Sequence, residues 1–179
     1  RQIVLNTSSD ILSEKDVRVA LQHATNKQNI SDGIFYGLEK PADTLFASTI
    51  PYCDIKLEPY AYNLELAGQI LDDAGWKMGS GNVREKDGQQ LNIDLLYNSD
   101  SVTEKSIAEY LQSEYQSIGV SLNIHGEEEQ SYRDNMKAGN FDMVFNICWG
   151  MPYDPQSSLA AMRAPVYGDF AAQQGLEDK

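Results

Sequence analysis

The chain has 179 residues, with 14 Lys and Arg against 27 Asp and Glu, a formal net charge of −13 and a pI of about 4.4. That balance argues against nucleic acid, anionic membrane surfaces and acidic substrates as partners. The length suits one domain with a substantial core, and no apolar run approaches the roughly 18 residues of a bilayer-spanning helix.

The sequence begins at Arg1 on strand-like residues and closes on polar AAQQGLEDK, so it is expected to be a segment of a longer chain. After a short apolar strand over 3–6, the period changes to helical. Ser13 or Asp16 is placed to cap a helix with Val17, Leu21 and Ala24 on one face. A second helical stretch through Ile30, Ile34 and Phe35 ends at Gly37, which makes a helix pair.

From 38 to 62 the pattern dissolves into Pro41, Pro51 and Pro59 with Tyr52, Tyr60 and Tyr62, a length and irregularity typical of functional loops. Asn63 then caps a helix carrying Leu66, Ala67, Ile70, Leu71 and Ala74, which Gly75 terminates and onto which Trp76 packs back. The run KMGSGNVREKDGQQ over 77–90 reads as a turn or hairpin. Its GxG neither follows a strand nor opens a helix, so it lacks the context of a phosphate-binding loop.

A strand over 91–97 leads to a helix capped by Thr103 or Ser101, with Ile107, Tyr110, Leu111 and Ile118 inward and Gly119 as its break. Next come a strand over 120–124, a helix over 127–138 ended by Gly139, and a strand over 141–148. Helix, glycine and strand occur twice in succession, so the fold class is α/β. A short helix through Leu159 and Met162 is expected after Asp154.

Little here supports catalysis. His23 lies one position from the apolar face of its helix and reads as a packed or surface residue. His125 is placed at a strand end before Glu127, Glu128 and Glu129, a set that could bind metal but is better explained as acidic residues complementing a helix dipole. No nucleophile, zinc or Walker motif occurs. Cys53 and Cys148 are too few and too far apart for a disulfide framework or a metal knuckle, and both are expected to be free thiols.

The run FDMVFNICWGMPYDP over 141–155 carries the strongest ligand signal. Met143, Val144, Phe145 and Ile147 form a buried-type strand, and Gly150, Pro152 and Pro155 then force a sharp turn. Trp149 and Tyr153 leave the carboxyl end of that strand, where open α/β sheets hold ligands, although two rings there also suit a core cap. Arg163 is available to pair with a carboxylate, or is a helix-surface charge.

The blocks KDVRVALQHATNKQNI, NLELAGQILDDAGW, VREKDGQQLNIDLLYN and IAEYLQSEYQSIGVSLNI, with the GNFDMVF strand, together resemble the extracytoplasmic solute-binding proteins of peptide and nickel ABC importers. Asp16, Val17, Arg18, Ala20, Leu21, Ala24 and Asn26 fit that family's first helix, and Ala67, Ile70, Leu71, Ala74, Gly75 and Trp76 fit its A-x-x-L-L-x-x-A-G-W helix. Trp149, Gly150, Pro152, Tyr153, Asp154 and Pro155 match the W-G-x-P-Y-D-P loop of the nickel-binding branch.

This resemblance implies that residues 1–179 form a single α/β lobe, with a mixed sheet flanked by helices, of a two-lobe periplasmic-binding-protein-like fold that closes on ligand by hinge bending. It further implies that Trp149 and Tyr153 line a site for a nickel complex with a small chelator. In that branch a histidine further along can coordinate the metal. Its place falls near Tyr167 here, and no histidine follows His125. The ligand set implied is therefore Trp149, Tyr153, Arg163 and Tyr167, with coordination supplied by the chelator and no protein metal ligand assigned. The implied function is capture of nickel for an ABC permease by a monomer with no cofactor and no catalytic residue, periplasmic and either free or lipid-anchored. The alternatives are a di- or oligopeptide receptor of the same architecture and a binding module that signals rather than transports.

Overall fold

The computed structural model describes residues 1–44, 46, 50 and 53–146. In chain order the elements are β1 (Gln2–Leu5), α1 (Lys15–His23), α2 (Lys27–Ile34), α3 (Leu64–Asp73), β2 (Lys77–Met78), β3 (Arg84–Lys86), β4 (Gln89–Gln90), β5 (Asn92–Asn98), α4 (Val102–Ser117), β6 (Ser121–Glu127), α5 (Glu129–Ala138) and β7 (Met143–Asn146). The main sheet has the order β1-β7-β5-β6, with β7, β5 and β6 parallel and β1 antiparallel to β7. The expected α/β class and mixed sheet are thus what the chain forms.

Two-residue alternation assigns the sheet its faces. Ile93 and Leu95 of β5, Leu122 of β6, and Met143 and Phe145 of β7 join Ile107, Ala108, Leu111 and Tyr115 of α4 and the apolar stripes of α1 and α3 in the main core. Leu96 and Val144 point the other way, into a smaller cluster with Tyr132 of α5 and Phe141. Helices α4 and α5 therefore cover opposite faces. The turn between α5 and β7 is fixed by Gly139, at φ 74°, and by Asn6, whose side chain donates to the carbonyl of Phe141 at 2.8 Å.

The helix pair, the Asn63 cap and the burial of Trp76 are as expected, and Asn63 accepts from the Leu66 N–H at 2.9 Å. Three local expectations are corrected. Glu14, not Ser13 or Asp16, occupies the N-cap of α1 and makes no capping bond. Its carboxylate instead accepts from Lys86 Nζ at 2.9 Å and from Trp76 Nε1 at 3.3 Å, so tertiary partners outcompete the local cap. Residues 77–90 form a three-stranded sheet, β2-β3-β4, rather than one hairpin. It is held because buried Arg84 donates to the carbonyls of Ile118 and Trp76 at 2.7 and 2.6 Å and to Asp72 at 2.8 Å. That guanidinium holds the Asp72 carboxyl below its ordinary range. Finally, β6 runs on to Glu127, so His125 is inside the strand, Glu128 is the N-cap of α5, and only Glu129 lies in its first turn.

No helix or strand is assigned among the described residues of the long segment after α2. Side chains of the helices fasten it. His23 Nδ1 lies 2.8 Å from the carbonyl of Ala61, with Tyr60 edge-on to the imidazole at 5.3 Å. The Tyr62 hydroxyl donates to Glu114 at 2.6 Å, a bond that pushes its pKa up to about 12. Cys53 is buried as a free thiol.

Candidate functional site

All three parallel strands end on one edge of the sheet. From β5 the chain crosses through α4 to β6 over one face, and from β6 it crosses through α5 to β7 over the other, passing β5. The connection that leaves β5 thus covers one face of the sheet, and the one that arrives at β7 covers the other. Trp149 follows the last residue of β7, Asn146, by three positions in the sequence.

Toward their carboxyl ends β5 and β7 stop pairing. Their pairing comprises Leu95 with Met143 and Leu96 with Val144, although both strands run two residues further. Alternate N–H groups of a strand face the same neighbour. The Asp94 N–H faces β7, donating to the Asp142 side chain at 3.0 Å, and the Ser99 N–H faces β6, donating to the Glu127 carbonyl at 2.8 Å. By the same alternation the Asn98 N–H and the Phe145 carbonyl would form the next rung of the β5–β7 ladder. Each has a side-chain partner instead. The Asn98 N–H donates to Glu104 Oε2 at 2.9 Å, and the Tyr132 hydroxyl donates to the Phe145 carbonyl.

Glu104 and Tyr132 are both buried, at 4% and 7% exposure. Burial pushes the Glu104 carboxyl up, opposed by the Asn98 N–H. Burial, and then the nearby Glu104 charge, push the Tyr132 hydroxyl up as well, so it stays protonated and keeps donating. Around them, Asn98 donates to Glu129, which also takes Arg133, and Glu127 accepts from Ser131 and from Asn135. Side-chain carboxylates thus outnumber cations along this edge.

Two concavities flank the sheet. One of about 620 Å³ lies on the α5 face beside Asn6, Asp94, His125 and Asp142. The other, also about 620 Å³, lies on the α4 face among Ile3, Leu5, Phe35, Tyr60, Met143 and Phe145. Its lining includes Gln2, which sits opposite Asn146, so this apolar cavity reaches the carboxyl end of β7.

Trp149, Tyr153, Arg163 and Tyr167, together with Ile147, Cys148 and the helix expected through Leu159 and Met162, lie outside the described residues. The strand expected over 141–148 is formed by Met143–Asn146, starting two residues later, and residues 147 and 148 lie outside the described residues. His125 Nε2 lies 3.2 Å from Asp94, with the Asn123 amide donating to the same oxygen at 3.0 Å. Among the described residues no group of three or more His, Cys, Asp or Glu is placed to hold a metal ion. Glu104 and Tyr132 escaped the sequence reading. The one signal for Glu104 was its position three residues after Ser101, the spacing of a capping box.

Over residues 1–169 the chain matches the model of the bacterial extracellular solute-binding proteins, family 5 Middle. It is 42% identical to the nickel-binding periplasmic protein of Escherichia coli, over 99% of this chain and 34% of that one. Its structure is similar to NikA from Brucella suis, solved with Fe(III)-EDTA, with a TM-score of 0.89 and 42% identity over 98% of this chain and 36% of that one. NikZ from Campylobacter jejuni, solved with Ni(L-His), gives a TM-score of 0.79 at 25% identity over 90% of this chain and 31% of that one. The chain thus spans about a third of the length of these relatives. With the family pattern running through almost all of its residues, and with the α/β sheet that those relatives share, the chain belongs to the bacterial extracellular solute-binding proteins of family 5.

Proposed function

We propose that the protein of which this chain forms one lobe captures nickel as a small-molecule chelate outside the cytoplasm and delivers it to the permease of an ABC importer. The observation that carries this reading is the 42% identity to a nickel-binding periplasmic protein, sustained over 99% of the chain. The W-G-x-P-Y-D-P motif at 149–155, which follows the carboxyl end of β7 in the sequence, supports it locally.

In this reading Trp149 and Tyr153 form aromatic walls that exclude water, Tyr167 stands beside them, and Arg163 pairs with a chelator carboxylate. Metal coordination comes from the chelator. The protein makes and breaks no covalent bond, uses no resident cofactor and acts as a monomer in the periplasm, free or lipid-anchored. A second lobe closes on the ligand, and closure supplies the remaining contacts.

The test is a titration of the full-length protein with nickel, with and without free histidine, and separately with dipeptides, followed by tryptophan fluorescence. Tight quenching that needs both nickel and histidine, and that weakens on Trp149→Phe, is the expected outcome. Saturable dipeptide binding with no response to nickel would identify a peptide receptor instead.

A further inference from the structure

We propose that the turn formed by Asp87 and Gly88 is a site of spontaneous covalent modification, at which the backbone rearranges to an isoaspartyl linkage. An aspartate followed by glycine offers this chemistry the least hindrance, because glycine has no Cβ to shield its nitrogen. The dipeptide occurs twice in the chain, at 32–33 and at 87–88, and the fold puts the two copies in opposite situations.

In the first step the Gly88 nitrogen attacks Cγ of the Asp87 carboxyl. The proton of that nitrogen and the hydroxyl of the carboxyl leave together as water, and a five-membered succinimide closes. Water then adds to one of its two carbonyls. Opening at the side-chain carbonyl restores aspartate, whereas opening at the main-chain carbonyl leaves the backbone running through Cβ and Cγ, longer by one carbon. Water is the only co-reactant.

The attack has two requirements: a free glycine N–H, and an aspartate able to rotate until Cγ lies over that nitrogen. At 32–33 neither is met. Both residues lie inside α2, where the helical pattern commits the Gly33 N–H to the carbonyl four residues back, and the Asp32 carboxylate accepts from Gln28 Nε2 at 2.9 and 3.0 Å. At 87–88 the chain turns from β3 to β4. Lys86 pairs with Gln89, so Asp87 and Gly88 are the two central residues of the turn, and both are exposed. The main-chain bond of such a turn joins its first and fourth residues, which leaves the Gly88 N–H to water. Asp87 sits at φ 52° and Gly88 at φ 82°, a left-handed conformation that glycine adopts freely and aspartate only at a cost. The attack requires Asp87 to rotate out of it, and little holds it there. β4 has two residues and pairs with β3 at the edge of the small sheet, so this tip opens at a smaller cost than the helix does.

The product no longer fits a two-residue hairpin, and β4 loses its register with β3. Because β3 carries Arg84, the change loosens the small sheet from α3 and α4. The test ages the full-length protein at physiological temperature and pH and maps isoaspartate by mass spectrometry with electron-transfer fragmentation, which distinguishes isoaspartyl from aspartyl peptides. Isoaspartate is expected to accumulate at least about tenfold faster at 87 than at 32, equivalent to about 1.4 kcal/mol in barrier. In the urea-unfolded chain the two positions are expected to react at similar rates, which assigns the difference to the fold. Asp87→Asn, which keeps the turn and releases ammonia in place of water, is expected to react faster still, and Asp87→Ser to leave the aged protein with an unchanged unfolding midpoint. Equal rates at the two positions in the folded protein, or aspartate retained at 87 while the unfolded chain converts there, would overturn the proposal.

Discussion

At the scale of single residues, Arg84 is a buried charge, among the described residues, that fastens separate elements together. Arg84 is 6% exposed and satisfies two backbone carbonyls as well as Asp72, tying the small sheet to α3 and to the end of α4. Replacing it by Met keeps the aliphatic stem but strands the carbonyls of Ile118 and Trp76, each worth about 1–3 kcal/mol when left buried without a donor. Arg84→Met is therefore expected to cost about 3–5 kcal/mol, read as a lower urea midpoint. A loss under about 1 kcal/mol would mean that water replaces the guanidinium. None of this was legible in VREKDG, where Arg84 looks like one charge among several in a turn. Burial and partnership depend on residues such as Asp72, Trp76 and Ile118, which only the fold brings together. The same holds for Glu104 and Tyr132: a capping-box spacing hints at one, and nothing local marks the other. Gly126, by contrast, has a reason visible only in space, since a Cβ there would meet the Tyr97 ring at 2.6 Å.

At the scale of elements, sequence patterns held where local physics sets the outcome and slipped where tertiary partners override it. Periodicity placed α1, α3, α4, α5 and the strands to within a few residues, because each buries one stripe or one face. Asn63 and Ser101 proved to be N-caps, whereas Glu14 displaced Ser13 and Asp16, since its carboxylate is claimed by Lys86 and Trp76. The Ser101 cap has a second consequence. Its hydroxyl accepts from the Glu104 N–H at 3.2 Å, so it fixes the turn from which Glu104 reaches the Asn98 N–H. Ser101→Ala is expected to lower stability by about 0.5–2 kcal/mol, with Ser101→Asp retaining most of it. Chemical denaturation of both variants checks this, and equal losses in the two would show that the hydroxyl caps nothing of consequence. The sequence expectation of an aromatic turn after β7 rests on Gly150, Pro152 and Pro155, which lie outside the described residues. The strand order β1-β7-β5-β6 was not legible, because it depends on which way α4 and α5 cross the sheet.

At the scale of the whole molecule, net charge sets two opposing terms whose balance is measurable. Acidic residues outnumber basic ones by 27 to 14, so folding brings an excess of 13 negative charges together. Two like charges about 15 Å apart cost about 0.3 kcal/mol in water at low salt, and an excess of this size makes dozens of such pairs. Against this stand ion pairs such as Lys105–Glu109 at 3.9 Å and Lys77–Asp72 at 3.8 Å, whose side chains are at least 42% exposed. Each is worth about 0–1 kcal/mol and is itself screened. Arg84 with Asp72 is better protected on its arginine side, 7% exposed, and should persist in salt. Raising sodium chloride from about 0.01 to about 0.15 M shortens the screening length from about 30 to about 8 Å, which removes long-range repulsion more completely than it weakens pairs in contact. The urea midpoint of the chain is therefore expected to rise with sodium chloride across that range. Chloride is the right anion for the test, because sulfate would also strengthen apolar burial and confound the reading. A midpoint that falls instead would mean that surface ion pairs outweigh the repulsion, and that the acidic surface is arranged to be locally neutralised rather than uniformly charged.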